Sequence, residues 1–159
     1  MISIKKSPTA DTRTCDVTRV SQEQLLESSN QHIGDVRKAI AFFLDRLGHA
    51  AFTHDWDKLE FIAGFYADFQ TEFKETRWWD KHRRISRHHL NYADGVPDDV
   101  NLLDVLEYIA DCVMAGMARS GSVYELKLDD ALLQRAFKNT VELLKAQVSV
   151  AEIEKELMT

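Results

Sequence analysis

Residues 98–121 read DDVNLLDVLEYIADCVMAGMARSG, and this stretch decides the fold. Asp98 or Asp99 is suited to cap the first turn of a helix, because each can accept hydrogen bonds from backbone amides. The apolar run that follows predicts a helix of about 20 residues, ending at Arg119, just before Gly121. The strongest element of the chain is therefore expected to be helical.

Helices are also predicted before this stretch. Residues 21–24 (SQEQ) fit a capping box, and the helix that they begin is expected to run to Leu47 and to stop at Gly48. A second helix is expected to open at His54-Asp55. One or two short helices are expected within residues 74–90.

After these helices, Asn91–Val100 is predicted to be a loop, since it contains an Asp-Gly pair and a proline. Further helices are predicted from Asp129 to Gln147 and, as a short tail, from Val150 to Leu157. No useful two-residue alternation is found. The fold class is therefore predicted to be all-α, a bundle of five to seven helices.

Composition limits the classes of protein that the chain can belong to. Its 159 residues, 45% apolar and 29% charged, fit one domain with a real core, predicted over residues 21–159 after a flexible arm at 1–20. The net charge of −6, from 26 acidic and 20 basic residues, argues against general binding of DNA or RNA. It leaves room for a small anionic ligand held by a metal ion or by a local basic patch.

The N-terminus and the cysteines indicate a cytoplasmic protein. Cys15 and Cys112 do not form a disulfide framework, and a reducing compartment is the simpler interpretation. No stretch of 18 apolar residues and no signal peptide is found, so no membrane association is expected.

Six histidines are present, and five of them form an ordered pattern with two aspartates. A His-Asp pair alone is a weak signal, and the order of the other residues adds weight to it. The pattern consists of His32, His54-Asp55, His82, His88-His89 and Asp111.

In this pattern the chain resembles the HD-domain superfamily of metal-dependent phosphohydrolases, over residues 32 to about 118. The two-metal branch, which includes cyclic-dinucleotide phosphodiesterases of the HD-GYP type, is the most similar. Its features are a Lys three residues after the Asp, a His-His pair, a loop with Asp-Gly and Pro, and a helix bearing Ile-Ala-Asp. The matching residues are Lys58, His88-His89, Asp94-Gly95, Pro97 and Ile109-Ala110-Asp111.

The resemblance implies a helical HD-like fold, a site for one or two divalent metal ions, and hydrolysis of a nucleotide or a related phosphate ester. Imidazole and carboxylate ligands together suit Mn, Fe, Zn, Co or Ni. Asp55 is expected to bridge two ions, with a hydroxide between them attacking phosphorus. The implied metal ligands are His32, His54, Asp55, His82, His88, His89 and Asp111.

Basic residues lie close to the same pattern. Lys58 follows Asp55 by one helical turn and would point to the same side, so these two are the predicted catalytic residues and Lys58 is also expected to hold a phosphate oxygen. Arg84 and Arg87 are the further candidates for binding phosphate. The alternative is that residues 74–87 form a solvated basic face.

Two departures from the family pattern support a different function. Val96 replaces the Tyr of the Gly-Tyr-Pro loop, and Asp57 replaces the Gly of the usual His-Asp-x-Gly-Lys. The alternative function is an inactive HD-like module that binds a nucleotide or a protein. The chain as a whole also resembles small bacteriophage proteins, which would place it in the host cytoplasm as an inhibitor or a nucleotide sponge.

Each of these residues also has a structural interpretation. Asp55 could cap a helix, His32 could be a core residue, and His82 could be exposed among its basic neighbours. Asp111 precedes an uncharged run, where a carboxylate is costly unless it is paired or coordinated. In a third hypothesis, the chain is a helical interaction protein whose histidines are incidental.

Five other residues have predicted roles outside the ligand set. Trp78 and Trp79 are expected in the core or in a homodimer interface rather than as a platform for base stacking. Asp104 and Glu107 are expected to be solvated or to support the ligands from outside, and His49 to end a helix.

Overall fold

The computed structural model describes residues 1–7, 9, 13, 15–75, 77–123 and 125–151, and the predicted helical class is confirmed. No helix within these residues is long and apolar enough to cross a membrane. The described elements are β1 (Ile2–Lys5), a 3-10 helix (Val17–Arg19), α1 (Gln22–Thr53), α2 (Trp56–Glu60), α3 (Ile62–Gln70), α4 (Trp78–Ile85), α5 (Leu102–Ser120), α6 (Asp130–Lys145) and β2 (Val148–Ala151).

The capping box at the start of α1 is confirmed, but the predicted end of this helix is wrong. The Ser21 amide donates to Gln24 Oε1 at 2.9 Å, and the Gln24 amide donates to Ser21 Oγ at 3.1 Å. The helix continues through Gly48 to Thr53. A glycine costs a helix interior only about 1 kcal/mol relative to alanine, and helix-compatible residues follow it.

The second predicted helix is divided in two. It begins at Trp56 rather than at His54, and Phe61, with φ −115° and ψ 38°, separates α2 from α3. The helix expected within residues 74–90 is α4, and residues 91–100 form the predicted loop.

The long helix α5 is confirmed, with a different cap. Asn101, not Asp98 or Asp99, is the N-cap: its Oδ1 accepts from the Leu103 amide at 2.9 Å, and Asp104 accepts from the Asn101 amide at 2.9 Å. Asp98 and Asp99 lie too far before the first turn to cap it, because Val100, which is fully buried, stands between them and Asn101. Gly121 ends the helix with a φ of 70°, which glycine adopts without strain.

The contacts within the chain define two units. The first unit consists of residues 1–44 together with the residues from 143 onward. Its strands pair in parallel, with Ile2 opposite Val148 and Lys5 opposite Ala151. The predicted flexible arm is therefore a strand at residues 2–5, and the predicted tail helix is wrong at Val150. Residues 152–157 of that predicted helix lie outside the described residues.

The second unit, Asp45–Glu142, has its own apolar core. α5 and α6 are joined at the edge of this core, where the Leu102 amide donates to Thr140 Oγ1 at 2.8 Å and Asn139 Nδ2 donates to the Val100 carbonyl at 2.8 Å. These bonds fix the position of α5. The buried apolar residues are Leu90, Val100, Val105, Tyr108 and Ala136.

Candidate metal centre

The turn between α1 and α2 positions His54 and Asp55. Asp55 has a φ of 53°, in the left-handed region, which Asp tolerates better than most residues. Such a backbone conformation stores strain and is often found at functional sites. The Asp55 side chain is only 18% exposed, so its carboxylate lies inside the second unit.

Three histidines come from α4 and the turn that follows it. His82 is 0% exposed, His88 1% and His89 7%. The rings of the adjacent His88 and His89 lie 4.3 Å apart, so both members of the pair reach one place. Three imidazoles buried together need partners to offset their loss of water.

The first candidate ligand group joins these histidines to Asp55. One ligand atom from each of Asp55, His82, His88 and His89 lies within 4.8 Å of the others. His82 Nε2 and His88 Nε2 lie 3.4 and 3.5 Å from Asp55 Oδ1. His89 Nε2 lies 2.8 Å from His82 Nε2. Four ligand atoms therefore surround one position.

A second candidate group contains His54, Asp55, His88 and Asp111, under the same 4.8 Å limit. His54 Nε2 lies 3.6 Å from Asp55 Oδ2 and 3.7 Å from Asp111 Oδ1. Asp55 belongs to both groups, with one oxygen facing each of them. Six of the seven predicted metal ligands are thus brought together.

Two buried atoms in these groups, Asp55 Oδ1 and His88 Nε2, have no hydrogen-bond partner within the described part of the chain. Buried polar atoms are almost always hydrogen-bonded, since an unpaired one loses its water without compensation. These two atoms lie 3.5 Å apart. A cation bound between them would satisfy both, so the residues present fit a metal ion.

Glu107 supports two of the histidines from behind. His54 Nδ1 donates to Glu107 Oε1 at 2.9 Å, and His88 Nδ1 donates to the same oxygen at 3.1 Å. A proton on Nδ1 leaves the Nε2 lone pair of each ring free to face the centre, as in most histidine ligands of metals. Of the two roles predicted for Glu107, solvated or supporting the ligands, the structure shows the supporting one.

Asp57 supports His82 in the same way. It is 2% exposed, and His82 Nδ1 lies 2.9 Å from both of its carboxylate oxygens. This role is not predicted from the sequence, in which Asp57 is only a departure from a family pattern. The available signal was its place two residues after Asp55, where glycine was expected.

The pKa shifts favour the forms of these side chains that bind metal. Burial, followed by the charges of His88 and His82, lowers the pKa of His89 to about 3. Burial also lowers the pKa of His82, against the effect of Asp57. Burial of Asp55 would raise its pKa, but the hydrogen bond from Lys58 and nearby positive charges outweigh this and lower it. Neutral imidazole and ionised carboxylate are the forms that coordinate cations.

The two tryptophans of α4 pack against the histidine rings. Trp78 stacks on His82 with centroids 5.0 Å apart and an angle of 11° between the rings. Trp79 lies 5.1 Å from His82 and 5.2 Å from His89. They form an aromatic wall that limits how these two rings can turn.

The three basic residues predicted to bind phosphate have different environments. Lys58 Nζ is hydrogen-bonded to Asp55 Oδ2. Arg84 is 64% exposed, with its Nε 3.8 Å from an oxygen of Asp94. Arg87 bonds to Asp104 at 2.7 and 2.9 Å and to Asp99, and these bonds raise its pKa. Arg87 is therefore held in an ion pair with Asp104 and Asp99, and its role in binding phosphate stays a prediction.

His32 is not part of either ligand group. It is exposed on α1, about six turns before the C-terminal end of that helix. It is not the core residue of the alternative interpretation either. His49 is exposed too and lies within α1 rather than at its end.

Gly95 fixes the loop against the histidine pair. A Cβ atom at this position would lie 2.7 Å from the His89 carbonyl oxygen and 3.0 Å from that of Arg83. Only glycine allows the backbone of the loop to approach so closely. The Asp94-Gly95 pair thus helps to hold His89 in place.

Comparisons of the chain with protein-family models, with curated proteins and with solved structures give no match. The resemblance to the HD-domain superfamily therefore stays a prediction. The chain has a buried cluster of histidine and aspartate side chains that could hold a metal ion.

Proposed function

We propose that the protein is a phosphohydrolase that depends on divalent metal ions and acts on a nucleotide or a related phosphate ester. One observation carries the proposal: the two oxygens of Asp55 face different imidazoles. Oδ1 lies near His82 and His88, and Oδ2 near His54. A shared carboxylate is typical of centres in which two ions lie side by side. The HD-like sequence pattern independently predicts the same residue as the bridge.

Bound divalent ions would activate a water molecule and offset the negative charge of a phosphoryl group. The part of the protein is to hold the ligands in one geometry. Glu107 fixes the rings of His54 and His88, and Asp57 fixes His82. Mn, Fe, Zn, Co and Ni all suit this mixture of imidazole and carboxylate.

Lys58 is the residue that we assign to the phosphate. Its ammonium group is hydrogen-bonded to Asp55 Oδ2 and lies 5.8 Å from the ring centre of Phe65 and 5.9 Å from that of Trp79. When cations take up the charge of Asp55, the ammonium group of Lys58 is free to bind a phosphate oxygen beside the centre. Arg84, being exposed, could contact an outer part of the ligand, whereas Arg87 is left out of the proposal.

The first experiment measures metal content and phosphate release on the full-length chain. The purified chain is loaded in turn with each of the five metals and its bound metal is counted. Phosphate release is then measured with nucleotides and simple phosphate esters. We expect bound metal and turnover in the wild type and loss of both in Asp55→Asn. His32→Gln is the matched control and should keep both, since His32 is exposed and outside the ligand groups.

The outcomes separate the three functions that the sequence allows. If metal is bound but the nucleotide is still intact after long incubation, the protein is a binding module and not a hydrolase. Wild type and Asp55→Asn with equally little metal would refute the metal centre and leave the helical interaction protein. Asp57 favours metal binding, because its carboxylate holds a ligand ring where the family pattern has glycine.

A further inference from the structure

A pocket of about 560 Å³ adjoins the candidate centre within the second unit. The C-terminal turns of α1 and one face of α5 form its walls, and His54 and Asp111 line it next to the second ligand group. This volume is in the range of sites for small molecules. The pocket is therefore large enough for the body of a ligand whose reacting group lies at the centre.

The lining of the pocket is almost entirely apolar. Of the described residues that line it, only His54, Glu107 and Asp111 are polar, and all three belong to the centre or support it. The rest are leucines, alanines and Met114. Met114 is 68% exposed, so its flexible side chain can adapt to an occupant.

This lining suits a hydrocarbon better than a nucleobase. A base has ring nitrogens and exocyclic groups, which would lose their water in the pocket without gaining hydrogen-bond partners. An alkyl body gains from leaving water and needs no partners. With cations bound at the centre, the pocket would suit an amphiphilic ligand, since an anionic group would lie at the centre and an uncharged body against the apolar walls.

We propose that the pocket binds the aliphatic body of a phosphate ester whose phosphate lies at the metal centre. This inference rests on the proposed function and narrows its substrate class. Ala51 and Ala110 matter here because their small side chains leave the space open. Leu47 and Leu106 supply apolar surface.

The test uses probes that cannot be hydrolysed. Binding of methyl-, butyl- and octylphosphonate to the chain loaded with Mn²⁺ is measured by calorimetry. The nucleotide probe is the phosphonate analogue of adenosine 5′-monophosphate, in which a methylene group replaces the ester oxygen. We expect the affinity to rise by about fourfold for each methylene that enters the pocket, so that octylphosphonate binds far more tightly than methylphosphonate. The nucleotide should bind about as weakly as methylphosphonate.

Two variants of α5 locate the effect. Ala110→Trp fills the pocket and should remove the gain in affinity with chain length. Ala118→Trp is the matched control, because Ala118 is exposed on the same helix and does not line the pocket. It should keep the gain. Thermal melting of both variants checks that each is folded.

Each result decides between distinct conclusions. Equal affinity for the three phosphonates, or tightest binding of the nucleotide, would overturn the pocket inference whether or not the chain hydrolyses esters. A gain with chain length that Ala110→Trp removes would uphold the inference, even if no ester were hydrolysed and the proposed function failed. A dimer that Ala110→Trp dissociates, with no effect of chain length, would make the pocket a protein interface and overturn the inference.

Discussion

Asp104 and Glu107 lie one turn apart on α5, and they serve two different clusters of buried charge. Asp104, 4% exposed, accepts hydrogen bonds from the Arg87 guanidinium and from the Asn101 amide. Glu107 accepts from two imidazoles whose other nitrogens face the candidate centre. Both carboxylates are fixed by hydrogen bonds, so the difference lies in what they fix.

In the Arg87 cluster, the buried carboxylate is paired with a cation that the protein itself supplies. In the Asp55 cluster, two buried atoms have no hydrogen-bond partner among the described residues, and both belong to the candidate ligand groups. A buried carboxylate alone therefore does not mark a ligand site. A buried acceptor that the fold leaves unpaired is the better indicator.

The largest expected effect is on metal affinity in His88→Gln. His88 belongs to both ligand groups, and its unpaired Nε2 lies 3.5 Å from Asp55 Oδ1. Loss of the His88 imidazole should weaken metal binding by more than about 100-fold, which is more than the loss of a residue that only supports a ligand. Competition with a chelator measures this. Unchanged affinity would contradict the assignment of His88 as a ligand.

Asp104→Ala should instead lower stability and leave the stoichiometry of bound metal unchanged. Its removal leaves the Arg87 guanidinium, 41% exposed, without its main partner and breaks the capping box of α5. Since Arg87 is partly solvated, we expect a loss of about 3 kcal/mol in the free energy of unfolding by urea. Glu125→Ala, in an exposed ion pair with Lys127, should change it by less than about 0.5 kcal/mol. Loss of metal in folded Asp104→Ala would remove the distinction between the clusters.

Gly95→Ala should affect stability and metal binding together. The new Cβ would collide with two backbone carbonyls, which cannot turn aside as a flexible side chain can. We expect a loss of about 2 kcal/mol in unfolding free energy and weaker metal binding, because the backbone of His89 must move. Gly34→Ala, on α1 with open space at the Cβ position, should be neutral or slightly stabilising. Equal effects of the two changes would show that the loop does not position His89.

The smallest effect is expected for Glu107→Gln. The amide keeps an oxygen acceptor but loses the charge that strengthens both imidazole hydrogen bonds. Metal affinity should fall about tenfold, or about 1.4 kcal/mol, with little change in metal stoichiometry. Glu23→Gln on the exposed surface of α1 is the control. Full affinity in Glu107→Gln would mean that the histidine rings are positioned without its charge.

Features set by neighbouring residues could be predicted from the sequence. The Ser21–Gln24 capping box and the end of α5 at Gly121 depend on local hydrogen bonds and on local backbone conformation. The order of histidines and aspartates identified six residues that converge. His32 is predicted to be a ligand only from its place in this order, because nothing in the neighbouring sequence distinguishes a metal ligand from an exposed histidine on a long helix.

Features set by distant residues could not be predicted. The pairing of Ile2–Lys5 with Val148–Ala151 joins two four-residue segments, each too short for its alternation to indicate a strand. α1 ends at Thr53, beyond the stop predicted at Gly48, and Asp55 follows it in a left-handed backbone conformation. Such a conformation persists only where the surrounding structure supports it. The support of His82 by Asp57 depends on how α4 packs, which residue spacing does not reveal.

The parallel pairing of β1 with β2 also has a consequence for the order of folding during synthesis. β1 leaves the ribosome before the second unit and β2 after it, so β1 cannot pair with β2 while the intervening chain is made. The second unit, including every residue of the two ligand groups, lies between the strands in the chain. Since domains generally fold as units while the chain emerges, the cluster can form before the strand pair closes.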